Sequence, residues 1–74
     1  MDPRKYDYSE LLGDIKRTFG AQEPFAKAMG MSASTLSLKL NNKAEWSQDE
    51  MMRATKLLNS ELSKIRSYFF TRIV

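Results

Sequence analysis

The most informative part of the sequence runs from Gln22 to Asn41 and reads QEPFAKAMGMSASTLSLKLN. Apolar residues recur in it at helical spacing, both before and after Gly30. Pro24 falls in a first helical turn, where its missing N–H costs little, and Gly30 permits a sharp change of direction. The segment therefore predicts two consecutive helices, Gln22–Met29 and Ala33–Asn41, joined by a short turn.

The second helix of this pair is expected to expose one side. Ser32 is placed to cap its N-terminus, and Leu36 and Leu40 lie about 40° apart around the helix axis, so both face the core. The other side carries Ser34, Ser37, Leu38 and Asn41. Leu38 is apolar although it faces away from the core. Such a residue can contact a thymine methyl group in a DNA reader, or a partner surface in a protein binder.

Capping signals place two further helices. The first helix is expected to begin at Asp7, which forms a D-x-x-E capping box with Glu10, and to end at Gly20. The fourth helix has the clearest start in the sequence, an S-x-x-E capping box from Ser47 to Glu50. Together with the central pair, these signals indicate a chain that is almost entirely helical.

The C-terminal residues leave two interpretations open. A short fifth helix is expected after Ser60, its predicted N-cap, with Leu62 and Ile65 on the inward side. Residues 70–74 are aromatic and β-branched, which favours an extended tail. The apolar residues of this region either fold back to complete the core or form an oligomer contact with a second copy or another protein. These residues are Phe69, Phe70, Ile73 and Val74.

Length and composition limit the class of protein. The chain has 74 residues, a formal charge of +3, no Cys and no His. This length fits one domain, taken as residues 1–74 with an N-terminal arm at 1–6 and the tail at 70–74. Without Cys or His, no disulfide framework, thiolate zinc site or His-based triad can form. With no nucleophile–base pair or phosphate-binding loop either, we expect neither an enzyme nor a bound metal or cofactor.

Positive charge is concentrated around the predicted helix pair. Between residues 15 and 43, five basic residues and one acidic residue give a net charge of +4, whereas the rest of the chain carries −1. A basic patch is the electrostatic footprint of a nucleic-acid binder. No apolar run approaches the roughly 20 residues of a membrane span, so no membrane partner is expected.

Five positions carry a family resemblance, because they fall in register with a helix-turn-helix motif: Gln22, Ala26, Gly30, Leu36 and Asn41. On these positions the chain resembles the phage-repressor and Cro-like helix-turn-helix family. The resemblance implies an all-α, five-helix, lambda-repressor-like DNA-binding domain with the motif at helices 2 and 3. It also implies a Cro-like transcriptional regulator that binds double-stranded operator DNA in a lysis–lysogeny switch, commonly as a homodimer.

The same resemblance implies which residues make contacts. Base-edge positions of the family correspond here to Ala33, Ser34, Ser37 and Leu38. Phosphate-contacting positions correspond to Gln22 and Asn41. Additional positive charge nearby would come from Lys39 and Lys43.

A second resemblance favours a different mechanism. The segments 6–9, 37–41 and 68–70 resemble small regulators from temperate phages of Gram-positive bacteria, a group that includes modulators of repression. In addition, the expected reading face contains no Arg and no Gln, although specific DNA readout usually relies on such residues. Both points favour the alternative of an antirepressor or modulator that binds the phage repressor protein. Either regulator would act in the cytoplasm of a bacterial host cell, at the nucleoid.

Overall fold

The structure of the chain is a computed structural model that describes residues 5–73. Its helices are α1 (Ser9–Phe19), α2 (Gln22–Met29), α3 (Ala33–Leu40), α4 (Gln48–Leu57) and α5 (Ile65–Phe69), with a 3-10 turn at Leu62–Lys64 before the last. No strand forms within residues 5–73, where an isolated antiparallel bridge joins Tyr6 and Arg72. The prediction of an all-helical chain with five α-helices is confirmed for this part.

The helices α2, α3 and α4 follow the local signals in the sequence. Gly30 ends α2 in the left-handed region at φ 76°, and Ser32 caps α3 by accepting a hydrogen bond from a backbone N–H. At α4, the Ser47 hydroxyl accepts from the Glu50 N–H at 3.1 Å, while the Glu50 carboxylate accepts from the Ser47 N–H at 2.9 Å. The predicted capping box at this position is confirmed.

The start of α1 differs from the prediction. The helix begins at Ser9, and the Asp7 carboxylate accepts from the Ser9 N–H at 2.8 Å. A capping box with Glu10 does not form, because the Asp7 N–H donates to the Thr71 carbonyl at 2.7 Å and the Glu10 carboxylate pairs with Lys64 at 2.6 Å. Two contacts distant in sequence thus replace the predicted local ones.

The predicted N-cap at Ser60 is also wrong. The Ser60 hydroxyl lies 2.6 Å from the hydroxyl of the fully buried Tyr68, which also donates to the buried carboxylate of Asp14. The 3-10 turn instead begins after Glu61, and Leu62 is exposed rather than inward-facing. Ser60 therefore satisfies a buried tyrosine hydroxyl instead of a helix N-terminus.

The core lies between α1, α2, α4 and α5. Leu36 of α3 also points into it. The most deeply buried side chains are Leu11, Ile15, Phe25, Ala26, Met29, Leu36, Ala54, Thr55, Tyr68 and Phe69. Among the helices of residues 5–73, α2 packs against α1, α3 and α4, whereas the backbone of α3 closely approaches only that of α2. The helix α3 is therefore the peripheral member of the bundle, and much of its surface is not covered by another helix.

Candidate regulatory surface

The helix α3 is held in place from its inner side and its N-terminus. Leu36 is fully buried and Leu40 almost so, which anchors this helix against the core. The Ser32 hydroxyl accepts from the N–H of Thr35 at 3.0 Å, so one of the unpaired N–H groups at the helix start is satisfied. These local contacts give the outer side of α3 a defined orientation.

The outer side of α3, here called the α3 face, is formed by Ala33, Ser34, Ser37 and Leu38. Ala33, Ser34 and Leu38 are exposed, and Ser37 is half-buried. Leu38 has 47% of its surface accessible although it is a large apolar residue. The face carries no charge, and it combines the aliphatic side chains of Ala33 and Leu38 with two hydroxyls.

The two residues predicted to contact phosphate lie at helix ends. Gln22 is exposed at the first residue of α2. Asn41 is exposed just after α3, but its amide nitrogen donates to the Ser37 carbonyl at 2.8 Å and lies 3.3 Å from the Ser37 hydroxyl. Because a phosphate needs hydrogen-bond donors, the Asn41 side chain would have to leave these contacts to bind one.

The prediction that Lys39 adds positive charge to the DNA-binding or partner face is wrong, because only 9% of this residue is accessible. Its ammonium group donates to the Glu45 carbonyl at 2.7 Å, pairs with Glu50 at 3.1 Å and lies 5.9 Å from the Trp46 ring centroid. Burial raises the pKa of Glu50, but the Ser47 N–H and Lys39 outweigh this effect and leave the pKa below its ordinary value of 4.5. Lys39 thus joins α3 to the start of α4.

The exposed positive charge near α3 is smaller than the sequence indicates. The charge of Lys39 is offset by Glu50, and Arg17 forms an ion pair with Asp14; both acidic residues lie outside residues 15–43. Lys43 is exposed, and its N–H donates to the carbonyl of Leu38 at 2.8 Å. Only part of the predicted basic patch is therefore available to a partner.

A contact between the N-terminal segment and the end of α3 was not predicted. The Asn42 side-chain oxygen accepts from the Tyr6 N–H at 2.8 Å, and its amide nitrogen donates to the Tyr6 carbonyl at 2.9 Å. Asn42 adopts a left-handed conformation at φ 61°, which asparagine tolerates better than most residues. The sequence alone does not show that the partner of Asn42 lies 36 residues away.

Beside this contact lies an aromatic groove of about 350 Å³, formed by the N-terminal segment, the loop from α3 to α4, and the end of α5. Its aromatic side chains are Tyr6, Tyr8, Trp46, Phe69 and Phe70. Burial raises the pKa of Tyr8 above 10.0, and the neighbouring Tyr6 adds to this effect. The ring contacts of Trp46 with Tyr8 and Phe69 join distant parts of the chain, so the groove was not predicted from the sequence.

The C-terminal apolar residues divide between the two interpretations. Phe69 is fully buried, so its assignment to an oligomer contact is wrong and it completes the core instead. Phe70 and Ile73 are about half exposed, and Val74 lies outside the described residues. Phe70 stands edge-on to Tyr6, with ring centroids 6.0 Å apart. A role for Phe70 and Ile73 in an oligomer stays a prediction.

Two kinds of site do not occur within residues 5–73. No group of three or more acidic, His or Cys residues stands where it could hold a metal ion. No helix in that range has both the length and the apolar character needed to cross a bilayer.

Comparison with known proteins identifies a family and a phage relative. The chain is similar to a solved structure, the solution structure of the modulator of repression (MOR) of the temperate bacteriophage TP901-1 from Lactococcus lactis. The two are 46% identical with a TM-score of 0.79, and the match covers 93% of this chain and 95% of that one. No curated protein matches. The family model described as "Protein of unknown function (DUF739)" matches residues 4–72, and this chain belongs to that family.

Proposed function

We propose that this chain is a modulator of repression, which binds a phage repressor protein and changes its activity by protein–protein contact. The observation that carries this proposal is the 46% identity, over 93% of the chain, to the TP901-1 modulator of repression. The name of that protein, modulator of repression, states its role. The proposed role here is non-enzymatic and rests on a contact surface alone.

The α3 face supports a protein contact. An uncharged face can be removed from water at lower cost than a charged one, and the hydroxyls of Ser34 and Ser37 can hydrogen-bond across an interface. Leu38 is the apolar centre of the face and would insert between side chains of the partner. Interface cores are typically depleted in charge in the same way.

We further propose that α2, the turn at Gly30 and α3 form a helix-turn-helix unit that has been adapted to a protein partner. Three features favour adaptation over direct DNA readout. Lys39 is buried in contacts with α4, the Asn41 amide nitrogen is engaged by Ser37, and the α3 face has no Arg. Such a unit lacks much of the phosphate and base contacts that operator binding needs.

Cro-like binding to operator DNA is the second candidate function. It is favoured by the exposed cations Lys16, Lys27 and Lys43 and by Gln22 at the start of α2, where backbone N–H groups can meet a phosphate. Binding of this kind loses affinity steeply as salt rises, because counterions are released from the DNA. This salt dependence separates it from a contact made through the uncharged α3 face.

The test uses the purified N-terminal domain of the cognate phage repressor and its operator DNA. Calorimetric titration should show association of this chain with the repressor domain at micromolar concentration or below. Gel-shift assays should show that the chain changes repressor occupancy of the operator and does not shift the operator alone at low salt. A salt-sensitive shift by the chain alone would favour the second candidate. Absence of both association and any effect on occupancy would overturn the proposal.

A further inference from the structure

The rings of the aromatic groove form a continuous series across the molecule. Neighbouring ring centroids are 6.0 Å apart for Phe70 and Tyr6, 6.4 Å for Tyr6 and Tyr8, 6.4 Å for Tyr8 and Trp46, and 4.9 Å for Trp46 and Phe69. Phe70, at one end of the series, is 48% exposed. A volume of about 350 Å³ lies at the lower end of the range for small ligand sites, which is enough for a side chain with its adjoining backbone.

Trp46 carries an unsatisfied hydrogen-bond donor at the groove. The residue is only 7% exposed, and its indole Nε1 makes no well-formed hydrogen bond among residues 5–73; the nearby Tyr8 hydroxyl interacts with Trp46 only as the smallest of the influences on the pKa of Tyr8, which it lowers. A buried donor without a partner destabilises the fold, so such groups are rare in folded proteins. An acceptor supplied by a bound chain, such as a backbone carbonyl, would satisfy this donor.

Basic side chains stand beside the groove. Lys43 is exposed on its lining, and Arg72 is exposed and paired with Tyr6 in the antiparallel bridge. Residues directly opposite in such a bridge place their side chains on the same side. Neither cation forms an ion pair within residues 5–73, whereas the lining contributes one acidic residue, Glu45. The charge around the groove therefore favours an acidic occupant.

The groove adjoins the α3 face. Lys43 lines the groove, and its N–H donates to the carbonyl of Leu38, the apolar centre of that face. Asn42, next to it, also lines the groove and holds the backbone of Tyr6. A protein seated on Leu38 would therefore have its neighbouring residues within reach of the groove.

We propose that the aromatic groove is a second contact site for the repressor. It receives an apolar side chain from an acidic segment of that protein. In the complex, a carbonyl of the segment accepts a hydrogen bond from Trp46 Nε1, and its carboxylates meet Lys43 and Arg72. This inference rests on the proposed function, since it names where the same partner makes further contacts.

The readout is the indole N–H signal of Trp46 in ¹H–¹⁵N NMR spectra, which is a single peak because the chain has one Trp. The probes are the repressor N-terminal domain, the acetylated peptide Asp-Leu-Phe-Glu, its counterpart Lys-Leu-Phe-Lys, and a short single-stranded oligothymidylate. The repressor domain should move the indole proton downfield, as expected for a new hydrogen bond. The acidic peptide should move it at millimolar concentration, and the basic peptide should do so more weakly.

Matched variants separate the groove from the rest of the surface. Phe70→Ala and Lys43→Glu should each weaken repressor binding about fivefold or more, the effect expected of residues that carry binding energy. The controls are Leu62→Ala and Lys27→Glu, which change an exposed apolar and an exposed basic residue outside the groove lining. Each control should change binding less than twofold. Circular dichroism checks that every variant is folded. If Phe70→Ala does not fold, Lys43→Glu by itself tests the proposal.

The outcomes distinguish the two proposals. If the repressor binds with equal affinity to all variants and the indole peak stays in place, the modulator function stands and the groove proposal is overturned. If the repressor does not bind at all, the modulator function fails, and the peptides decide whether the groove accepts an acidic apolar segment. A peak shift by the oligothymidylate stronger than by the acidic peptide would overturn the groove proposal in favour of a nucleic-acid site.

Discussion

The side-chain amide of Asn42 binds both polar atoms of the Tyr6 backbone. Its oxygen accepts from the Tyr6 N–H at 2.8 Å, and its nitrogen donates to the Tyr6 carbonyl at 2.9 Å. The same backbone segment also pairs with the C-terminal tail, through the bridge from Tyr6 to Arg72. The loop after α3 thus fixes a segment that forms part of the aromatic groove.

Replacement of Asn42 by Gly should reduce the free energy of unfolding by about 1–3 kcal/mol, because two hydrogen bonds of roughly 0.5–1.5 kcal/mol each are lost. Glycine accepts the left-handed backbone at this position, so the variant isolates the side-chain contacts. Asn59→Gly is the control, since Asn59 is exposed and has a similar φ of 56°. Urea denaturation of both variants measures the difference, and equal stabilities would show that the Asn42 contacts contribute nothing.

Replacement of Leu38 by Asp should leave the fold intact and abolish repressor binding. The side chain is 47% exposed, so a carboxylate there remains solvated, with a small cost of about 0.3–1 kcal/mol near the end of α3. In a complex, the same carboxylate would be buried without a partner. Met52→Asp on α4, which is 49% exposed in the wild type, is the matched control and should bind normally. Loss of helicity in Leu38→Asp would show that the α3 face is wrongly assigned.

Lys39 and Lys43 should behave in opposite ways. Lys39→Met removes hydrogen bonds from a buried ammonium group, so we expect a loss of about 1.5–3 kcal/mol in the free energy of unfolding. Lys43→Met should change stability by less than about 0.5 kcal/mol, because it alters an exposed side chain. Thermal denaturation of the pair provides the measurement. Equal thermal stabilities would contradict a structural role for Lys39.

Acid should destabilise the chain through Glu10. Hydrogen bonds from Lys64 and then Ser67 lower the pKa of Glu10 below its ordinary value of 4.5. The stabilisation is therefore complete above pH 4.5 and is lost as pH falls through the lowered folded-state pKa. The same contact raises the pKa of Lys64 above 10.5, so the contribution of Lys64 is lost only as pH rises through that higher value.

The free energy of unfolding of Glu10→Gln should accordingly fall less steeply below pH 4.5 than that of the wild type. Glu61→Gln is the control, because Glu61 is exposed and its carboxylate contacts only the Ser63 hydroxyl, at 3.5 Å, among residues 5–73. Denaturant titrations at several pH values compare the three proteins. If the free energy of unfolding of Glu10→Gln fell in acid as steeply as that of the wild type, the pair with Lys64 would not persist in solution.

A larger side chain at Ala26 should destabilise the fold. Ala26 is 1% exposed in α2, between neighbouring helices, so Ala26→Leu should lower the free energy of unfolding by about 1–3 kcal/mol. Ala28→Leu on the exposed side of the same helix should have little effect. The midpoint of thermal unfolding distinguishes the two. An Ala26→Leu protein as stable as the wild type would show that the helices around residue 26 leave space for a larger side chain.

The parts of the fold that could be predicted are those that depend on local sequence signals. The boundaries of α2, α3 and α4 depend on residues within one or two turns: Gly30, Ser32 and Ser47 act on their own neighbours. These elements were predicted almost to the residue. The start of α1 was not, because the Asp7 N–H and the Glu10 carboxylate bind groups more than fifty positions away.

The candidate site was predictable only where helical periodicity applied. Exposure of Ser34 and Leu38 follows from their angle to Leu36. The burial of Lys39 depends on Glu50, and the aromatic groove depends on ring contacts between the two ends of the chain, such as Tyr6 with Phe70. Pairings of this kind have no local signature, so a single sequence does not reveal them.

The bridge between Tyr6 and Arg72 has a topological consequence. Paired residues in an antiparallel bridge have Cα atoms only about 4.5–5.5 Å apart, so the backbone almost closes on itself. A short covalent linker between residues 6 and 72 would close the backbone of residues 6–72 into a ring without displacing any helix. The order of helices along the chain could then be circularly permuted, with new ends opened at the exposed turn around Asn59, while every native contact between helices is retained.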